Sequence, residues 1–197
     1  MIRTLGVLLA GGRGARLGGP KARLRVAGET LLARAVRELS PCCDETVVVA
    51  PDGLELDTSL ARVNDRIPQA GPLSALVAGL ESREFERALT LAVDLPRLTG
   101  EKLEKLLAAH AGEIATVPAP GGRAQPLAAV YSRAACAPLR QALESGERAL
   151  VPAVRVLGPR LLDDETLRAI GLSPSDFDDL DTPEDLAAFE SRERRRA

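Results

Sequence analysis

Tryptophan is absent, tyrosine occurs once, and aromatic residues make up 2% of the 197 positions. So sparse a set leaves little material for platforms on which nucleic-acid bases stack. The core has to be assembled from Leu, Val, Ala and Ile, within the 45% of residues that are hydrophobic. An excess of one charge is missing as well. A net charge of −2 gives no global basic field of the kind that gathers nucleic acid. No apolar run approaches the roughly 20 residues of a membrane span. The first residues enter a strand pattern directly, with no secretory signal. Neither nucleic acid nor a membrane is expected as a partner.

Cysteine and histidine are equally scarce. Cys42, Cys43 and Cys136 are odd in number, and the adjacent pair has no C-x-x-C spacing. A disulfide framework is therefore not expected, and a cytoplasmic location is. His110 is the one histidine, falling in a helical pattern. A His-rich zinc site or a Ser-His triad has nothing to be built from.

What the chain does have is glycine placed after a strand. The apolar run Leu5–Leu9 reads as a buried strand. It empties into Leu9-Ala10-Gly11-Gly12-Arg13-Gly14-Ala15-Arg16-Leu17-Gly18-Gly19-Pro20-Lys21. Glycines let backbone turn tightly and approach a ligand, exposed N–H groups cradle phosphate oxygens, and nearby cations neutralise them. An ordinary glycine-rich turn with solvated arginines is the plain alternative. Two commoner phosphate loops are excluded by spacing. Walker A needs Gly before and Ser or Thr after its lysine, but Lys21 stands between Pro20 and Ala22. The G-x-G-x-x-G fingerprint fails because Leu17 takes its third glycine position.

Strand and helix patterns alternate along the chain. Strands are predicted over 5–10, 46–50, 89–93, 114–117 and 127–131, and helices over 30–39, 73–80, 101–110, 134–143 and from Pro183. Thr99 and Thr182 stand at N-cap positions, the latter followed by Pro183. Such alternation implies an α/β, Rossmann-like three-layer fold with a mostly parallel sheet. No linker divides it, so 1–197 reads as one domain. Ligands in such folds bind beyond the carboxyl ends of the strands, where the Gly-rich loop falls.

Asp94 follows the strand Leu89–Val93, and Pro96 stops the ladder just beyond it. A hard carboxylate there suits Mg²⁺, which takes one or two carboxylates with water and phosphate oxygens. A turn-capping aspartate is the alternative. Asp65, ahead of Gly71-Pro72-Leu73, is either an Asx-turn residue or a contact to base or ribose.

The Gly-rich loop matches L-A-[GA]-G-x-[SG]-x-R-[ML]-G-x-x-K, and Val93-Asp94-Leu95-Pro96-Arg97-Leu98 reproduces the core of a second motif. Both resemble the nucleotidyltransferases with a Rossmann-like core. The run from Asp65 to Gly71-Pro72-Leu73, then Gln125-Pro126-Leu127-Ala128-Ala129-Val130-Tyr131 and Asp181-Thr182-Pro183-Glu184-Asp185-Leu186, is similar to the molybdenum cofactor guanylyltransferases. That resemblance implies transfer of GMP from GTP to molybdopterin carrying molybdenum, with pyrophosphate released and Mg²⁺ as cofactor. GTP and the molybdopterin cofactor are the implied substrates, and a molybdoenzyme or cofactor-synthesis protein the implied protein partner. It implies a nucleotide site of Leu9, Ala10, Gly11, Gly12, Lys21, Asp65 and Asp94. Within it Lys21, Arg16 and Asp94 are catalytic, and Asp94 is the metal ligand. Asp181 is placed against the second substrate or a metal. Arg13 is assigned to phosphate or to solvent, Arg123 to the pterin phosphate, and the basic tail from Arg192 to a solvated helix end.

Three positions depart from the guanylyltransferase pattern: Ala50-Pro51-Asp52 where Asn is usual, Asp179-Leu180-Asp181 for N-x-N, and Pro20 before Lys21. The Pro-Lys and Asp-Thr-Pro spellings are similar to molybdopterin cytidylyltransferases, which makes cytidylyl transfer the nearest alternative. A sugar-1-phosphate nucleotidyltransferase and a non-catalytic nucleotide sensor share the loop. The first usually carries added C-terminal structure, and the second has no need of both Lys21 and Asp94.

Overall fold

The computed structural model describes residues 2–12, 14–65 and 71–195. Its first strand, β1 (Ile2–Leu9), sends alternate side chains to opposite faces. Leu5, Val7 and Leu9 enter one apolar cluster, while Leu8, followed by Ala10, enters another. Both faces of this strand are thus covered, as its unbroken apolar run predicts.

A small hairpin follows, β2 (Arg25–Val26) and β3 (Glu29–Thr30), turning through Ala27 and Gly28 at φ 49° and 85°. Two consecutive positive φ values match the right-handed twist of the flanking strands. Helix α1 (Leu31–Leu39) begins where Thr30 Oγ1 accepts the Ala33 N–H at 3.1 Å. The chain continues through β4 (Glu45–Ala50), β5 (Ala61–Asn64), α2 (Pro72–Glu81), β6 (Phe85–Ala92) and α3 (Gly100–Ala109). Then come β7 (Ala115–Pro118), β8 (Val130–Ser132), α4 (Cys136–Glu144), α5 (Leu150–Arg155), β9 (Arg160–Leu162), α6 (Asp164–Ala169) and α7 (Pro183–Arg194).

Seven strands form one sheet in the order β5-β4-β1-β6-β8-β7-β9. Every pairing is parallel except those of β8, which runs antiparallel to both β6 and β7. The mostly parallel expectation holds. The exception between β7 and β8 has a local cause: residues 119–129 join them with only a 3-10 turn at Pro120–Gly122 and no crossover helix, and an antiparallel return needs no crossover. Helices α1, α3, α6 and α7 cover one face, and α2, α4 and α5 the other, completing three layers.

The main strands and helices fall where the sequence patterns place them. The short elements β5, β9, α5 and α6 were not expected. β5 has no buried side chain and β9 only Leu162, so neither shows a readable period. The cap expected of Thr99 is also different. Its side chain makes no capping bond, and the Gly100 N–H donates instead to Glu38 Oε2, 2.7 Å away at the end of α1. A carboxylate from a neighbouring helix thus takes over the role that local sequence assigns to threonine.

One close approach shapes the region under the cleft. A Cβ at Gly79 of α2 would stand 2.3 Å from Val7 Cγ1 and 3.0 Å from Val49 Cγ2. Only glycine lets α2 settle this closely onto β1 and β4.

Candidate active site

The ends of β1, β4 and β6 open together onto a cleft of about 670 Å³. Its walls include Leu9, Gly11, Gly12, Ala50, Pro51, Asp65, Gly71, Pro72, Asp94 and Leu127. Backbone pairing carries past the strands to their lips. Ala10 N–H donates to Val49 O at 2.8 Å, and Val93 N–H to Leu9 O at 3.1 Å.

The Gly-rich loop then folds back on itself. The Gly14 carbonyl accepts from Leu17 and Gly19, at 2.8 and 3.3 Å, and Lys21 N–H donates to Gly12 O at 3.1 Å. Gly14 sits at φ 54°, and a Cβ there would stand 2.0 Å from Gly19 O. At Gly12 a Cβ would approach Lys21 Cδ to 3.0 Å. The glycines therefore close the loop and leave room for the lysine stem against it.

Lys21 is buried, 8% exposed, yet charged. Its ammonium donates to Asp94 Oδ2 at 2.6 Å and to Asp181 Oδ1. Burial alone would favour the neutral amine, but the hydrogen bonds and charges of Asp181 and Asp94 outweigh it and hold the Lys21 pKa above its ordinary value. Asp94 arrives at the end of β6. Asp181 is delivered from the far end of the chain by two backbone ties. Leu180 N–H donates to the Asp94 carbonyl at 3.0 Å, and Asp185 Oδ2 accepts from Asp181 and Thr182 N–H at 3.2 and 2.9 Å. The second tie belongs to the capping box that starts α7, with Thr182 as N-cap and Pro183 after it, as the sequence predicts.

The structure thus brings together most of the residues singled out from sequence. Leu9, Gly11, Gly12, Asp65 and Asp94 line the cleft, and Lys21 joins Asp94 to Asp181 beside it. Ala10 is fully buried and supports the loop through its backbone instead of lining the cleft. Arg16 is exposed in the turn Ala15–Leu17 and does not line the cleft. Asp52 is exposed beyond Pro51, and Pro51 itself forms the wall there. Arg123 is exposed on the loop between β7 and β8. Arg13, Arg66 to Ala70 and Arg196 lie outside the described residues.

Two partners were missed. Ser74 Oγ donates to Asp65, one helical turn into α2 from Gly71. Asp179 stands near Asp181 and Asp94; partial desolvation, then those two carboxylates, hold its pKa above the ordinary range while Lys21 pulls it down. The Gly-Pro-Leu-Ser run could have pointed to Ser74, since a hydroxyl in the first turn of that helix faces back toward the acidic residue before it.

A glycine-rich loop folded back on itself, a buried lysine behind it and an aspartate at the end of β6, all at the carboxyl edge of a mostly parallel sheet, are the arrangement expected of a nucleotidyltransferase core. The model of the MobA-like NTP transferase domain matches residues 6–157. The chain belongs to that family. A relative from Chloroflexus aggregans, named "probable molybdenum cofactor guanylyltransferase", is 37% identical over 195 residues, covering 92% of this chain and 90% of its own. The molybdenum cofactor guanylyltransferase of Cereibacter sphaeroides is 32% identical over 202 residues, with 100% of both chains covered. Among solved structures, molybdopterin-guanine dinucleotide biosynthesis protein A from Archaeoglobus fulgidus superposes with a TM-score of 0.83 at 26% identity, covering 97% of this chain and 99% of its own.

Proposed function

We propose that this chain transfers GMP from GTP to the terminal phosphate of molybdopterin carrying molybdenum, forming the guanine dinucleotide and releasing pyrophosphate. The observation that carries the reading is the meeting of Gly11, Gly12 and Asp94 on one cleft, with Lys21 and Asp181 tied to Asp94 beside it, in a chain whose full-length relatives are named for guanylyl transfer.

Mg²⁺ is the implied cofactor, and the residues fit it. The Lys21 ammonium stands between Asp94 and Asp181, so a cation is already held where the two carboxylates converge. Among the described residues no cluster of three or more acidic, His or Cys side chains could hold a metal. Two hard carboxylates are what Mg²⁺ uses when phosphate oxygens and water complete its shell. Asp94, with Asp181, would hold the ion. Once bound, Mg²⁺ supplies charge neutralisation between the approaching and departing phosphates.

The protein's own part is positioning and electrostatics. The loop N–H groups and Gly11–Gly12 backbone receive the triphosphate. Asp65, set by Ser74, orients base or ribose. Lys21, and Arg16 from the loop rim, stabilise charge on the transferring and leaving phosphates. The acceptor phosphate is itself the nucleophile, so no covalent enzyme intermediate is required. The three cysteines are free thiols, in keeping with a cytoplasmic place of action.

The test is pyrophosphate release by purified protein with Mg²⁺ and the molybdopterin cofactor, comparing GTP with CTP. Preference for GTP is the expected result. Preference for CTP would move the enzyme to cytidylyl transfer, and no release with either would remove the reading.

A further inference from the structure

The chain's one tyrosine lies in the middle of the fold with no role in the site described so far. Tyr131, on β8, is 0% exposed. Burial without a compensating charge pushes its hydroxyl pKa far up, so it remains a neutral donor. That donor has one target: Tyr131 OH donates to the Pro126 carbonyl at 2.8 Å. Thr90, fully buried on β6, brings a second hydroxyl to the same place. Its Oγ1 lies 3.3 Å from Pro126 O and 3.1 Å from Ala129 O, and accepts the Ala129 N–H at 3.1 Å.

These bonds replace a ladder that has ended. β8 is regular only over Val130–Ser132. Ahead of it the chain still meets β6, with Thr90 N–H on Ala129 O and Ala92 N–H on Leu127 O, each at 2.9 Å. Just ahead of these contacts Pro126 turns its carbonyl inward, where, among the described residues, the hydroxyls of Tyr131 and Thr90 reach it. A buried carbonyl without a donor costs about 1–3 kcal/mol, so the hydroxyls fix the middle of the Gln125–Leu127 segment, whose ends are tied by Gln125 N–H on Pro118 O at 2.8 Å and Ala92 N–H on Leu127 O at 2.9 Å. Thr90 has one proton for two carbonyls, which leaves Tyr131 as the dedicated donor. Leu127, at the end of this segment, is a wall of the cleft.

The position of that wall gives it a meaning. Gly11, Pro51, Asp65 and Gly71 form the wall over β1, β4 and β5. β8 lies on the opposite side of β6 from β1. Leu127, the last residue of the Gln125–Leu127 segment, therefore bounds the half of the cleft across Asp94 from Gly11, Pro51, Asp65 and Gly71.

We propose that Tyr131, seconded by Thr90, is a positioning residue for the acceptor: by holding the Pro126 carbonyl it sets the Gln125–Leu127 wall against which the second substrate binds. The proposal rests on the guanylyl-transfer reading for the identity of that substrate. It concerns a hydroxyl that never touches either substrate.

The experiment is initial-rate kinetics on the full chain carrying Tyr131→Phe, varying MgGTP and the molybdopterin cofactor separately. Wild-type turnover comes first, and its absence would count against guanylyl transfer and not against the positioning role. Given turnover, the expected result is a KM for the cofactor raised about 5–20-fold, with the KM for GTP within twofold of wild type. Amide hydrogen exchange at Ala128 and Ala129, whose N–H groups donate to Gln125 O and Thr90 Oγ1, should quicken together with that change. Equal changes in both KM values, or an unchanged cofactor KM, would overturn the proposal, because a purely structural tyrosine does not distinguish the substrates. Should Tyr131→Phe not fold, Thr90→Val and Thr90→Ser decide it. Valine should reproduce the selective rise and serine should restore the wild-type value, and any other pattern would overturn it.

Discussion

Lys21 serves two carboxylates at once, and this sharing governs how its neighbours respond to substitution. Asp94→Ala removes the carboxylate at the end of β6 and should lower kcat about 10²–10³-fold, the loss seen for one preorganised transition-state contact. Lys21→Ala should lower kcat and raise the KM for GTP together, read from initial rates with pyrophosphate as the product. The sole histidine offers a separate test away from the cleft. His110 ends α3, its side chain 6% exposed, with Nδ1 2.9 Å from Thr116 Oγ1. Burial holds its pKa below 6.5; Glu113 pulls it back up while Arg87 and Arg160 push it further down. The folded state therefore binds the His110 proton less tightly than the unfolded chain does. Stability from this group is present above pH 6.5 and is lost as pH falls through the lower folded value. The one imidazole resonance in the NMR spectrum should titrate below 6.5. His110→Gln should flatten the urea midpoint against pH across that same window. A helical pattern is all the sequence shows around this histidine, and packing buries its ring.

At the scale of elements, the helices that matter most to the cleft are held by contacts between neighbours. α2 can lie on β1 and β4 because Gly79 has no side chain. Gly79→Ala should cost about 1–3 kcal/mol through overpacking, seen as a lower denaturant midpoint at unchanged slope. The sequence shows a glycine in a helical run, which by itself reads as a weak spot. Its purpose is visible only when Val7 is placed opposite. Glu38 is a similar case, lying in α1 by sequence yet capping α3 in space. β1 and β6 were legible as apolar runs and α1 by its helical period, each with a clear stop. β5 and β9 were not, since short edge strands with one or no buried side chain carry no period.

At the scale of the whole molecule, the part of the chain after the matched family domain completes both core and site. Leu162, Leu167, Leu172, Phe177, Leu180 and Phe189 all enter the apolar cluster on the α1–α3 face. Fully burying such side chains is worth about 1.5–3 kcal/mol each, a sum that rivals the roughly 5–15 kcal/mol by which a domain is stable. A chain ending at Leu157 should therefore lose its cooperative thermal transition and bind a hydrophobic dye. The same segment brings Asp181 to Lys21, 160 residues earlier in the chain.

The sequence by itself determined the order of the main strands and helices, the Gly-rich loop after β1 and the carboxylate after β6. These are local matters of period, turn chemistry and spacing, written within a dozen residues each. The tertiary structure alone decided that β8 runs against its neighbours, that Arg16 is exposed while Lys21 is buried, and that Asp181 shares that lysine with Asp94. It also decided that Tyr131 and Thr90 converge on a single carbonyl. Such contacts join groups far apart in the chain, and their geometry depends on packing across the sheet.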